Sequence, residues 1–350
     1  LQEEILEATN QVYMSGRVLD GQNTYEFENA IAKRTNRTYG VAVNSCTTAL
    51  LFSIMSIAQT QGRMIRNILI PAQSFVATLN SVLFNSYLPI VNDVDSISGL
   101  MDLSKMPDIL QQVDIIMYVN LFGNVLDYEQ MKTRTDFFSA KPIPIIEDAA
   151  QSFGAMYDKY PSGSLGTVSC LSFDPTKNLP CYGSGGMVLT NDPHIAQNVL
   201  NLRDNGKHSH NSKIGINSKM SEADCAQMLV KLNHFDKWQA RRTAIADYYT
   251  KELNGVVYPI PVNENVTHAW SKYVVHHHAR DVLKLRLNMR GVETRIHYEK
   301  SLNQYVTYGS VMDGEDRFSQ TCLSLPIFPE MTDLEVETVV QEIKFCVANT

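Results

Sequence analysis

Seven short apolar runs constrain this chain more than any other feature. They lie at 39–43, 67–70, 88–91, 115–119, 143–146, 168–173 and 187–189. Helical stretches separate several of them, around Asn80, Met101 and Tyr128. Strands that alternate with helices predict an α/β fold with a mostly parallel sheet. In such a sheet, functional groups gather beyond the carboxyl ends of the strands. Residues 120–123 and 148–151 occupy such ends.

The flanking segments predict further elements. Residues 1–15 form an amphipathic helix, and Thr24 is the N-cap of a helix over 25–34. A buried helix follows the strand at 39–43, and residues 194–203 are helical. The polar segment 204–215 is a mobile loop. A long helix covers 223–249, then a strand at 270–276, a helix at 281–289, a strand at 293–298 and a last amphipathic helix over 333–347. The expected division is a large α/β domain, 1–235, and a small C-terminal α+β domain, 236–350.

Composition narrows the function classes. The 350 residues are 44% hydrophobic and 19% charged, which allows a sizeable core. Thirty Lys and Arg against 37 Asp and Glu give a net charge of −7, which argues against a nucleic-acid or membrane-surface binder. The six cysteines form no C-x-x-C pair, so they read as buried thiols of a reducing compartment. With neither a signal peptide nor a spanning apolar run in view, the expected location is the cytoplasm. The run His276-His277-His278 has no evident carboxylate or Cys partner, and no metal site is expected.

The chemistry concentrates in 146–191, IEDAAQSFGAMYDKYPSGSLGTVSCLSFDPTKNLPCYGSGGMVLTN. Asp148 ends one apolar run. Lys177 follows another run and the turn Asp174-Pro175-Thr176. A carboxylate and an amine near one point suit carbonyl chemistry, in which the Lys forms a Schiff base and the Asp tunes an aromatic cofactor. Few other charges surround Lys177, so it would sit partly desolvated, a setting that favours attack on an aldehyde. Glu147 would face the other side of its strand. Upstream, Asn44-Ser45-Cys46-Thr47-Thr48 joins a strand to a helix, where free N–H groups, the helix dipole and hydroxyls can hold a phosphate or merely cap the helix.

The segments IEDAAQSFGA, LSFDPTKNL and GSGGMVLTND, with LSLP at 323–326, resemble the DegT/StrS family of aminotransferases over most of the chain. The resemblance implies the pyridoxal-phosphate-dependent fold type I: a seven-stranded-type, mostly parallel sheet between helices, plus the small domain. It implies pyridoxal 5'-phosphate as cofactor, passing through the pyridoxamine form, with a nucleotide-linked keto-deoxy sugar as acceptor and L-glutamate as donor. Lys177 is then the Schiff-base lysine and proton carrier, and Asp148 the partner of the pyridine nitrogen. Cys46, Thr47 and Ser172 lie at the phosphate, Phe75 stacks on the ring, and Gln151 meets its hydroxyl.

Residues 215–220 match the pattern G-x-N-x-R-M at Gly215, Asn217 and Met220. Asn217 would reach a phosphate in a neighbouring subunit, which implies a homodimer with shared sites. His297 and Tyr298, in GVETRIHYEKSL, would line the substrate site, and Arg295 would meet a substrate phosphate. One branch of the family has His in place of the Lys and dehydrates sugars, and Lys177 argues against that branch.

Several positions depart from the family. Cys46 replaces a glycine, Lys219 an arginine, Glu299 a proline and Asn303 a histidine. Two alternatives stay open: an acceptor without a nucleotide, such as a keto-cyclitol, and a non-catalytic regulatory relative of the same fold.

Overall fold

The computed structural model describes residues 1–62, 64–207, 214–306 and 312–349. At its centre is a seven-stranded sheet. Its strands are β1 (Tyr39–Val43), β2 (Asn67–Pro71), β3 (Leu88–Asn92), β4 (Ile115–Val119), β5 (Ile145–Asp148), β8 (Val168–Ser172) and β9 (Gly186–Thr190). Their order is β1-β9-β8-β5-β4-β2-β3. Only β9 opposes its neighbours β1 and β8; the other pairings are parallel.

Successive side chains of a strand point to opposite faces, and here both faces are apolar. Ile68, Ile70, Ile115, Met117, Ile146 and Val188 pack under α3 (Cys46–Thr60), α4 (Ala77–Phe84) and α6 (Pro193–Arg203). On the other face, Leu69, Ile116 and Tyr118 meet Met131 of α5 (Tyr128–Phe138). Further along it, Ala42, Leu171 and Leu189 meet Phe27 and Ile31 of α2 (Gln22–Arg34) and Met228 and Phe235 of α7 (Glu222–Glu252). The helix α1 (Gln2–Ser15) buries Ile5 and Val12 and lies along α7.

A short ribbon, β6 (Met156–Tyr157) and β7 (Tyr160–Pro161), pairs with β11 (Val266–Thr267) from the C-terminal part. There β10 (Tyr258–Pro259), β12 (Tyr273–His276) and β13 (Cys322–Leu325) form an antiparallel sheet. It packs with α8 (Arg280–Met289), α10 (Asp333–Ala348) and the second half of α7, through Ile245, Ala246 and Tyr249. One helix therefore serves two cores. α9 (Asp313–Thr321) sends Phe318 into the core beside β4.

The structure corrects three expectations. The segment around Met101 is not helical: Met101 bridges to Val94, and only short 3-10 turns follow at Leu103–Lys105 and Leu110–Gln112. Asp95, which accepts from the amides of Ile97 and Ser98, and Gly99 at φ +72° make this a loop. Thr24 does not cap α2, which starts at Gln22; its hydroxyl and amide donate to Glu222 instead. Residues 293–298 make a single bridge, Arg295 to Ser324, and then turn inward. The middle of the loop expected at 204–215, residues 208–213, lies outside the described residues.

Candidate active site

The strand register gathers the chemistry. Val119 pairs with Asp148, Asp148 with Cys170, and Ser172 and Val43 both pair with Gly186. The carboxyl ends of β1, β4, β5 and β8 thus meet the start of β9. Beyond them is a cavity of about 370 Å³, whose lining includes Cys46, Thr47, Phe75, Asp148, Gln151, Ser172, Lys177, His297 and Tyr298.

One wall is the first turn of α3. Ser45 is its N-cap and accepts from the Thr48 amide at 3.2 Å. The amides of Cys46 and Thr47 have no partner among the described residues and, with the helix dipole, favour an anion here. Burial pushes the Cys46 thiol well up, and Asp148 adds to that, so it is a neutral group.

Asp148 lies at the floor, 4% exposed. The Thr78 hydroxyl donates to it at 3.0 Å and the Ala150 amide at 3.2 Å. Burial raises its pKa, opposed by those two bonds and by Lys177. Glu147 faces the other way, into a nest of protein donors, as the alternation of a strand requires.

Lys177 is half-buried on the turn after β8, and its ammonium has no hydrogen-bond or ion-pair partner among the described residues. Phe75 is 54% exposed, an apolar face left open to a planar group. Its ring lies 5.8 Å from that of Tyr298. Gln151 donates to the Tyr298 hydroxyl at 3.0 Å and accepts from the Phe122 amide at 3.0 Å. Burial holds the Tyr298 phenol neutral by raising its pKa. His297 is held neutral too, its pKa lowered to about 3 by burial and by the charges of Lys272, Arg295 and Lys177. Its Nδ1 lies 2.8 Å from the Ser324 hydroxyl.

Two expected site residues lie elsewhere in this chain. Asn217 is exposed and bridges to Asp204. Its neighbour Lys219 is tied to Asp204 and lies 3.6 Å from Asp20. Arg295 is exposed, pairs with Glu293 at 2.7 Å and lines an outer groove of about 550 Å³ with Lys284 and Asn288.

Several cavity residues escaped the sequence reading, among them Thr78, Ser184 and Lys272. For Lys272 a signal existed, because a Lys inside the run 270–276 is a charge in a buried strand. Burial, with repulsion from Lys177, lowers its pKa to about 8.

Fold and cavity together define an α/β enzyme that pairs a free lysine amine with a buried carboxylate. The chain belongs to the DegT/DnrJ/EryC1/StrS aminotransferase family, which it matches over residues 1–344. It is 30% identical to the dTDP-3-amino-3,4,6-trideoxy-alpha-D-glucose transaminase of Streptomyces venezuelae, over 98% of this chain and 92% of that one. It is 28% identical to a pleiotropic regulatory protein of Geobacillus stearothermophilus, over 98% and 94%. Among solved structures, S. venezuelae DesV in complex with a ketimine intermediate superposes with a TM-score of 0.92 at 27% identity, covering 99% of this chain and 95% of that one. The fold is the one expected for the family.

The cavity fits pyridoxal phosphate. It offers an anion seat of free amides, an open aromatic face, a buried carboxylate and a free amine, which answer to the phosphate, ring, ring nitrogen and aldehyde of that molecule.

Proposed function

We propose that this chain is a pyridoxal-phosphate-dependent aminotransferase that converts a nucleotide-linked keto-deoxy sugar to an amino sugar, with L-glutamate as donor. The observation that carries the reading is that Lys177, Asp148, Phe75 and the free amides of α3 line one cavity. The name of the S. venezuelae relative supports the nucleotide-sugar acceptor. When bound, the cofactor supplies an aldehyde that condenses with amines and a ring that accepts the electron pair of a broken C–H bond.

Each residue has a part. The Lys177 Nζ would anchor the cofactor and, once freed by the incoming amine, would carry a proton between the substrate carbon and the cofactor carbon as general base and acid. Asp148, oriented by Thr78, holds the proton on the ring nitrogen. Cys46 and Thr47, through their amides, and Ser172, through its hydroxyl, bind the phosphate. Phe75 orients the ring from one face, and Gln151 lies at the ring hydroxyl. His297, Tyr298 and Arg295 line the way to the acceptor. Asn217, exposed and outside its own cavity, completes the site of a second copy, so the working form is a cytoplasmic homodimer. The chain divides near Asp236 into a cofactor-binding unit and a smaller substrate-facing unit.

The test is the absorption spectrum of the purified protein before and after glutamate. The expected result is a visible band that glutamate shifts to the near-ultraviolet and that Lys177→Ala abolishes. A protein that shows no band after pyridoxal phosphate is added, and forms no amino sugar, refutes the reading. Light scattering tests the assembly, and an active monomer would contradict the shared site.

A further inference from the structure

One cation in the cavity has no task in the scheme above. Lys272 starts the approach to β12, where its amide donates to the Phe122 carbonyl at 3.2 Å and the nearby Ala269 amide donates to Gly123 at 2.8 Å. The backbone is thus pinned to the turn after β4. The side chain lines the cavity beside Lys177 and also an adjoining groove of about 490 Å³ that contains Thr176, His297 and Ser324. Its ammonium has no hydrogen-bond or ion-pair partner among the described residues.

No nearby acid forms an ion pair with it among the described residues. The charge of Asp174 acts on it from a distance, while that carboxylate accepts from the Thr176 amide at 2.9 Å and hydroxyl at 2.6 Å. Glu293, in the adjoining groove, pairs with Arg295. Asp148 belongs to the floor, held by Thr78 and Ala150. His297 is neutral, so it neither adds to nor offsets the charge. Burial and the repulsion of Lys177 lower the Lys272 pKa to about 8, which still leaves it charged at neutral pH. A partly buried cation beside another cation, with no carboxylate of its own, is completed by an anionic ligand.

Of the other cations that act on it, Arg295 pairs with Glu293, and Arg242 is taken up by the Trp270 and Ile327 carbonyls. The place of Lys272 next to Lys177 then says which anion. A nucleotide diphosphate hangs at the far end of a sugar from its keto carbon, whereas an amino acid carries its carboxylate on the very carbon that bears the reacting nitrogen. We propose that Lys272 receives the α-carboxylate of the amino-acid donor and so orients the donor toward Lys177. This rests on the aminotransferase reading and adds a positioning residue to it.

The experiment compares wild type, Lys272→Met and Lys272→Arg as cofactor-loaded protein, with melting temperatures to confirm folding. Calorimetric titration with glutarate, a dicarboxylate that cannot react, reads binding without turnover. Lys272→Met is expected to weaken glutarate about 30-fold, and Lys272→Arg to restore most of the loss. In the half-reaction, Lys272→Met raises the glutamate concentration for half-maximal rate by about 30-fold and changes the maximal rate by less than about threefold. The α-amide of glutamate, which lacks the carboxylate, reacts alike with wild type and Lys272→Met. Unchanged glutarate and glutamate affinities overturn the proposal. So does a defect confined to the acceptor half-reaction, which would assign the anion to the sugar. A wild-type protein without a cofactor band, or with one that glutamate leaves alone, instead brings down the reading on which the proposal rests.

Discussion

Two neighbouring carboxylates show how a single residue acquires its task. Glu147 accepts from Asn120 Nδ2 at 2.8 Å, Ser162 Oγ at 2.7 Å, the Gly163 amide at 3.0 Å, the Leu165 amide at 2.9 Å and Ser169 Oγ at 2.6 Å. Its capacity is spent within the protein. Asp148 accepts from Thr78 and Ala150 alone among the described residues, and its remaining lone pairs face the cavity. Asp148→Asn should therefore keep the melting temperature and slow the glutamate half-reaction on the order of 100- to 1000-fold. Glu147→Gln should do the reverse. It sets an amide against protein donors and costs about 1–3 kcal/mol of stability, while folded molecules keep their rate. Melting curves and single-turnover rates on both variants decide, and equal rate losses would refute the division of labour. This pair was legible in the sequence, because two acids at a strand end must point to opposite faces. Lys272 was legible only as a charge in an apolar run, since no local pattern tells that this run passes the cavity mouth.

Among the elements, the junction of β9 with α3 carries the anion seat. A Cβ on Gly186 would lie 2.4 Å from the Ser45 carbonyl carbon and 2.6 Å from the Cys46 amide nitrogen. The contact is backbone on backbone, so no rotamer relieves it. β9 can lie against the first turn of α3 only because residue 186 has no side chain. Gly186→Ala should push the two apart, lower stability by about 1–3 kcal/mol and weaken pyridoxal phosphate binding by about tenfold or more. Denaturant unfolding and cofactor titration read the two effects, and a variant with wild-type cofactor affinity would mean that this turn is not the phosphate seat. Apolar period and spacing made most of the elements legible, β1 to α3 and β8 to β9 included. They could not supply the strand order or the reversed direction of β9, which long-range pairing decides. They also placed a helical stretch around Met101, where Asp95, Gly99 and Pro107 make turns.

At the level of the whole molecule, a seam of hydrogen bonds from the turn after β8 and from α7 holds the stretch that leads into Lys272. The Ala269 carbonyl accepts from Asn178 at 2.7 Å and Gln239 at 3.1 Å, and the Trp270 carbonyl accepts from Arg242 at 3.1 Å. Within the seam, His268 is 3% exposed; its Nδ1 accepts from the Trp270 amide at 2.8 Å, and its ring stacks on Trp270 at 4.0 Å. Burial lowers its pKa to about 3. Both states are mostly neutral above the ordinary histidine pKa, so proton linkage at His268 contributes almost nothing at pH 7. As pH falls from about 6.5 toward 3, the unfolded chain binds a proton that the folded chain refuses, and stability is lost. At pH 5 the loss from this one residue is about 2 kcal/mol. His297 acts in the same sense, while Glu147 and Glu28, raised chiefly by burial, take up protons in the folded state first and act in the opposite one. The net slope of the wild type therefore mixes signs, and a variant must isolate the term. His268→Asn keeps an acceptor for the Trp270 amide but cannot titrate. Urea unfolding at pH 7 and pH 5 should show the wild type losing about 2 kcal/mol more than His268→Asn. Parallel losses in the two proteins would mean that the seam already admits the proton or the water that burial is here taken to exclude.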